Sequence, residues 1–322
     1  MTIENQEEMI RTCVDLYYNR EMSQTEIAKK LYLSRSSVSR LLKMAKERNL
    51  VRILIDDESL SRCFNLERIF KETFQLENAL IVSDNRMDPL MDQTALATAK
   101  YVDTILHNGT IIAISRGKTL KSVVDRMQSD RKLAIKVVQL IGLMNNPEKN
   151  DDEMEIAKLF ANAYGGDYYN LYSPFIIDDE RVREVFNQYA AVGKTLEMAS
   201  RASVVLTSIG AYSADDKHII SNSYLSEREK KELINKGTVG LICGNYYDVN
   251  GNVVETSISD SIIGLPFKEI IKKDVIGVAS GKDKAAPILG ALRGHFIRTL
   301  ITDEITALNV LIQNEKEIDL YR

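Results

Sequence analysis

Apolar residues recur at two different periods along the chain. Between residues 9 and 45 they return every three or four positions: Met9-Ile10, Cys13-Val14 and Leu16-Tyr17, then Ile27-Ala28 and Leu31, then Val38, Leu41-Leu42 and Ala45. This spacing sets each group on one stripe of an amphipathic helix and predicts helices over 7–19, 24–31 and 34–47. Ser23 followed by Glu26 spells a capping box for the second, and Ser34 stands at the N-cap of the third. From about residue 60 the pattern changes. A helix is expected over 60–76, with Phe64, Ile69 and Phe74 among its apolar positions. Beyond it, short β-rich runs at 79–82, 110–114, 136–141, 203–209, 275–279 and 299–302 alternate with helical segments. Those segments lie at 90–107, 118–128, 153–163, 191–201, 284–293 and 304–314. Alternation of this kind predicts an α/β domain, a mainly parallel sheet covered by helices. The polar, acidic break Asp56-Asp57-Glu58-Ser59 divides the chain into expected domains 1–56 and 57–322.

Length agrees with two domains, at 322 residues. With 44% hydrophobic and 27% charged residues the chain is neither disordered nor fibrous. Its longest apolar stretches, such as Val204-Val205-Leu206, are strand-sized, and the start is acidic and polar rather than basic and apolar. A cytoplasmic protein without membrane contact is expected. Cys13, Cys63 and Cys243 are far apart and odd in number, the pattern of reduced structural thiols.

Charge sharpens the picture of the N-terminal part. Residues 20–52 hold nine basic side chains against three acidic ones, +6 within a chain of net charge −4. A basic head on an acidic body is the asymmetry of a DNA-binding module joined to a sensor. A short capped helix, a three-residue turn and a second helix beginning with small polar and Arg residues fit a helix-turn-helix whose last helix reads the major groove. Val38, Leu41, Leu42 and Ala45 face inward, and Ala28 lets the two helices approach. The candidate DNA-binding set is Ser23, Gln24, Ser34, Arg35, Ser36, Ser37, Ser39, Arg40 and Lys43. Hydroxyls near the helix start suit phosphates, and Arg35 or Arg40 can reach guanine edges. Residues 51–55 alternate weakly, as a wing strand would. Tyr32 occupies a turn position where a glycine would adopt positive φ cheaply.

In the body, two strand-to-helix loops suit an anion. Ser115-Arg116-Gly117-Lys118-Thr119 offers two hydroxyls, two cations and a flexible glycine, and Ser280-Gly281-Lys282-Asp283-Lys284 is a second such junction. Gly117-Lys118-Thr119 imitates the end of a nucleotide P-loop, but Ile112 stands where that motif needs its first glycine, so the P-loop is rejected. His107, His218 and His295 have neither metal-site nor triad spacing, and Asp151-Asp152-Glu153 reads as a solvated charge run heading a helix. No catalytic residue, metal site or cofactor is expected.

The N-terminal stretch Ser23-Gln24-Thr25-Glu26-Ile27-Ala28 with Leu33-Ser34-Arg35-Ser36-Ser37-Val38-Ser39-Arg40-Leu41-Leu42 resembles the SorC family of bacterial sugar-responsive transcription regulators. The likeness continues through Val137-Val138-Gln139-Leu140-Ile141-Gly142, Thr238-Val239-Gly240, Tyr247-Asp248, Ile276-Gly277-Val278-Ala279-Ser280-Gly281 and Leu300-Ile301-Thr302-Asp303-Glu304. It implies a sensor domain similar to the phosphosugar isomerase and deaminase fold, a phosphorylated-sugar effector, double-stranded operator DNA as partner, and a homo-oligomer, commonly a tetramer of two dimers. By motif matching it places Ser115, Gly117 and Thr119 in a phosphate loop and Gln139 and Gly142 at the next strand end. Gly281 and Lys284 fall in a second ligand-lining loop, and Asp260 in a segment that often faces the ligand. Departures occur at Arg116, Ile141, Leu241 and Ser280. Ile141 stands where members often carry Gly or Lys, and an isoleucine forms no Schiff base, so non-covalent sensing is expected. The competing reading is a phosphosugar isomerase-like enzyme fused to a DNA-binding head.

Overall fold

A computed structural model describes residues 3–20, 22–47, 50–51, 58–83, 90–143, 155–213 and 224–314. The chain forms two compact units, Met1–Glu58 and Ser59–Arg322.

In the smaller unit, α1 (Ile3–Val14) runs on into a wider π-helical turn, Asp15–Asn19, so the first helix begins earlier than its apolar stripe suggests. The Ser23 side chain accepts the Glu26 N–H, and the Glu26 carboxylate accepts the Ser23 N–H at 2.8 Å, opening α2 (Gln24–Lys30) with both halves of a capping box. α3 (Arg35–Glu47) follows after Tyr32, which takes φ +54° with 96% of its surface exposed. Cys13, Leu16, Ile27, Ala28, Val38 and Leu42 close one small core. The expected wing strand, 51–55, lies outside the described residues beyond Val51.

The larger unit begins with α4 (Glu58–Phe74). Its inward face is Cys63, Leu66, Phe70 and Phe74, whereas Phe64 is 52% exposed, contrary to the sequence expectation. The true stripe steps i, i+3, i+7, i+11, and position 64 falls one residue off it. The strands are β1 (Asn78–Val82), β2 (Ile111–Ile114), β3 (Lys136–Gln139), β4 (Asp167–Tyr169), β5 (Val204–Ser208), β6 (Gly210–Ala211), β7 (Thr238–Ile242), β8 (Asn245–Asp248), β9 (Val253–Val254), β10 (Asp274–Val278) and β11 (Thr299–Asp303). The remaining helices are α5 (Leu90–Ile105), α6 (Lys118–Val124), α7 (Ile156–Tyr164), α8 (Glu180–Gln188), α9 (Ala190–Ser200), α10 (Glu227–Asn235), α11 (Phe267–Ile270), α12 (Ala285–Arg293) and α13 (Glu304–Gln313).

Seven strands form one parallel sheet in the order β1-β11-β10-β5-β2-β3-β4. Successive residues of its strands alternate between two cores. Ala113, Val138, Val205, Val275 and Leu300 face α4, α9 and α13, while Ile112, Val137, Leu206, Ile276 and Ile301 face α5, α6 and α7. Burial on both faces is why these strands read as nearly continuous apolar runs.

The second sheet, β6-β7-β8-β9, is antiparallel and lies outside the predicted alternation of strands and helices. Cys243 (φ +50°) and Gly244 (φ +82°) turn β7 into β8, so both turn residues are left-handed, as a two-residue hairpin requires. α12 seats on this sheet, and the buried Tyr247 hydroxyl donates to the Pro287 carbonyl at 3.1 Å.

Candidate functional site

On α3, Ser36, Ser39, Arg40 and Lys43 occupy positions i, i+3, i+4 and i+7 and are exposed, opposite the buried Val38, Leu42 and Ala45. Arg35 is exposed beside them, and Ser37 is half-buried. The N-terminus of α3 gathers hydroxyls: Ser34 Oγ accepts the Ser37 N–H at 3.0 Å and lies 2.8 Å from both Ser36 Oγ and Ser37 Oγ. Helix N–H groups and hydroxyls at a positive dipole end favour an anion, and the stripe that holds Arg40 faces outward. Ser23 (exposed) and Gln24 (half-buried) open α2.

Strand order sets the second candidate site. From β2 the chain proceeds outward through β3 and β4, then returns to β5 beside β2 and proceeds the other way through β10 and β11. Connections therefore diverge between β2 and β5, and the crevice at their carboxyl ends is the place where such sheets bind ligands. Ser115 leaves β2 there, its Oγ 2.9 Å from Thr207 Oγ1 at the end of β5. Thr207 Oγ1 is also 3.6 Å from Cys243 Sγ. Burial pushes the Cys243 thiol up to about 11, so it forms a neutral wall rather than a nucleophile. Gly117 caps α6 at φ +124°, ψ 164°, a conformation open essentially to glycine, and a side chain there would meet Ser208 Oγ at 3.7 Å. Lys118 is exposed, while Arg116 and Thr119 are half-buried; an Arg116 guanidinium nitrogen is 3.4 Å from the Gly142 carbonyl.

At the end of β3, Gln139 clamps its own turn: its amide donates to the Ile141 carbonyl at 2.8 Å and its oxygen accepts the Leu171 N–H at 3.2 Å. Gly142 lets the chain pass where a Cβ would lie 2.3 Å from the Pro174 carbonyl oxygen. Both stand at the carboxyl end of β3, the strand next to β2. Asp260 is exposed on the short turn Ser259–Ser261, and the segment after it flanks the β3 end, where the Ile263 carbonyl accepts the Gly142 N–H at 2.8 Å. The loop 280–284 follows β10, separated from β2 only by β5, a distance of roughly 10 Å between strand axes. Gly281 and Lys284 are half-buried there, with Lys284 Nζ 3.6 Å from Asp283 Oδ2.

The predicted sensor residues thus share the carboxyl edge of one sheet. Thr207, Ser208, Cys243, Asp303 and Thr306 were missed; polar residues closing the apolar runs of β5 and β11 were the available signal. Two of the four departures from the family pattern, Ile141 and Leu241, are buried in the main core. His107 and His295 are exposed and precede β2 and β11, which puts them at the amino edge; His218 and residues 151–153 lie outside the described residues. A cavity of about 370 Å³ lined by Leu96, Lys100, Asp103, Arg126 and Tyr164 also lies at the amino edge, where α6 and α7 end. It is separate from the crevice. Among the described residues no group of His, Cys, Asp and Glu could hold a metal ion, and no helix is long and apolar enough to cross a membrane.

Residues 58–312 match the family described as "Putative sugar-binding domain", and residues 8–48 match sigma-70, region 4, a helix-turn-helix module. The chain is 31% identical to the deoxyribonucleoside regulator of Bacillus subtilis over 297 residues, 91% of this chain and 93% of that one. It is 28% identical to the sorbitol operon regulator of Klebsiella pneumoniae over 312 residues, 93% of this chain and 96% of that one. The crystal structure of the full-length Klebsiella protein superposes with a TM-score of 0.71 at 27% identity, covering 94% of this chain and 98% of that one. A helix-turn-helix head with an outward Arg stripe, joined to a parallel α/β body along the full length of such regulators, places the chain in the SorC family of sugar-responsive transcriptional regulators.

Proposed function

We propose that this protein is a cytoplasmic transcription factor of a carbohydrate-utilisation operon, controlled by a phosphorylated sugar held non-covalently in the crevice between β2 and β5. The observation that carries this reading is the convergence of Ser115, Gly117, Thr119 and Ser208 at the topological switch point, beside the Lys284 loop. Backbone N–H groups at the start of α6, together with hydroxyls and lysines, form the chemistry of a phosphate cradle. The α3 stripe reads operator DNA, with Arg35 or Arg40 on guanine and Ser34, Ser36 and Ser37 on phosphate. The protein acts as a homo-oligomer, a tetramer built from two dimers, so that paired α3 helices engage two half-sites. The sugar acts by binding one arrangement of the heads better than the other. The role is binding, not turnover: both described histidines sit at the amino edge of the sheet, away from the crevice.

Fluorescence anisotropy of labelled DNA from upstream of the gene, titrated with protein at fixed salt and repeated with a panel of sugar phosphates, tests the reading. One sugar phosphate is expected to shift the binding curve while inorganic phosphate does not. DNA binding unmoved by every sugar, or turnover of a bound sugar phosphate in a coupled assay, would overturn it.

A further inference from the structure

The loop 280–284 is tied to the end of β11 and the first turn of α13. Gly281 donates its N–H to Asp303 Oδ2 at 3.1 Å, with Thr306 Oγ1 at 3.0 Å from the same nitrogen. Thr306 Oγ1 also stands 3.1 Å from the Gly281 carbonyl and 2.6 Å from Asp303 Oδ2. A hydroxyl has one proton, so it serves the loop carbonyl or the carboxylate but not both, and a shift of the loop changes which. Asp303 is wholly buried and also caps α13, its Oδ1 accepting the Thr306 N–H at 2.8 Å. Movement at Gly281 is therefore transmitted to the N-terminus of α13.

The next residue extends the chain of contacts. Glu304, its side chain 9% exposed, receives Arg62 Nε at 2.8 Å. A carboxylate so buried must keep its cation beside it, so Arg62 follows any displacement of the α13 terminus. Arg62 stands in the first two turns of α4, just after the unit boundary at Glu58. Later turns of α4 are anchored independently: Leu66 and Phe70 are fully buried, and Glu67 accepts the Ile81 N–H at 2.9 Å from the edge of the sheet.

We infer that Thr306, Asp303, Glu304 and Arg62 form a linkage through which the loop 280–284 sets the start of α4, the helix that follows the DNA-binding unit in the chain. The role in signalling rests on the reading of 280–284 as an effector-lining loop; the mechanical link itself does not. Hydrogen exchange on the full-length protein separates the two. Thr306→Val should raise exchange several-fold in 280–284 and also in the first turns of α4. Arg62→Met should raise it in α4, and the double variant should exchange in α4 no faster than Arg62→Met alone. Acceleration by Thr306→Val confined to 280–284 and 303–306 would overturn the linkage.

Anisotropy with the labelled upstream DNA and the sugar-phosphate panel then reads the signal. Arg62→Met should keep the wild-type sugar-phosphate affinity within two-fold, yet lose the sugar-dependent shift in DNA affinity, and Arg62→Lys should restore it. A full sugar response in Arg62→Met would overturn the signalling role. Absence of any sugar-phosphate protection of 280–284 in the wild type would instead strike the effector reading and leave the Thr306→Val result to judge the link.

Discussion

Tyr32 and Gly117 meet the same backbone demand, positive φ, with opposite residue types. Tyr32 is an L residue held left-handed in the helix-turn-helix turn, with 96% of its surface exposed and so little packing in return. Tyr32→Gly should stabilise the head by on the order of 1 kcal/mol, read as a higher midpoint in thermal melts followed by circular dichroism. Gly117→Ala should do the reverse in the body, costing about 1–3 kcal/mol because only glycine enters its conformation readily. It should also weaken sugar-phosphate binding by isothermal titration. For the outward face of α3, Arg40→Ala should reduce operator affinity by about 1–3 kcal/mol and relax preference at one base position. A purely phosphate-binding arginine would instead weaken all sequences alike and lower the salt dependence. The α3 residues were legible in the sequence because a helix's exposed face follows from counting residues. Thr207 and Ser208 were not, because their meaning depends on β5 lying beside β2.

Elements with their own start signals were the easiest to read. The Ser23–Glu26 box and the Ser34 cap set α2 and α3 almost to the residue. α10 carries an equivalent box, Ser226 with Glu229, which went unread because only Leu233 of that helix is buried. Hydrogen bonds from Ser257 and Ser226 hold the Glu229 carboxyl down at about 2. Its folded value lies below the unfolded one, near 4.3, so its contribution is complete above that pH and is lost as pH falls towards 2. Glu229→Gln should therefore flatten the fall in melting temperature between about pH 5 and pH 2, measured by scanning calorimetry. α8 was invisible for a related reason: it buries none of its residues, and its Val182 and Val185 are exposed. The β7–β8 hairpin lacks the Asn-Gly or Asp-Gly signature, since Cys243 occupies the first left-handed turn position. β3 stops at Gln139 rather than 141 because the Gln139 side chain bonds the Ile141 carbonyl and bends the chain.

The molecule as a whole contains separate hydrophobic cores, one within Met1–Glu58 and larger ones within Ser59–Arg322. Calorimetry of the full chain should resolve more than one transition. A binding sugar phosphate at 100 times its Kd should stabilise the α/β unit by about 2.7 kcal/mol, raising that transition. A sugar that moved only the transition of the head would contradict a crevice in the sheet. What the sequence determined by itself was whatever a local rule controls: apolar period, helix caps, the charge reversal of the head, and the β-rich runs of a doubly buried sheet. The tertiary structure alone decided the strand order, and with it the switch point that sets Ser115 against Thr207 and the loop 280–284 one strand away. It also decided the contact of Arg62 with Glu304, partners 242 positions apart. Periodicity is a property of neighbours along the chain, whereas a site at a sheet edge exists only once distant strands have paired.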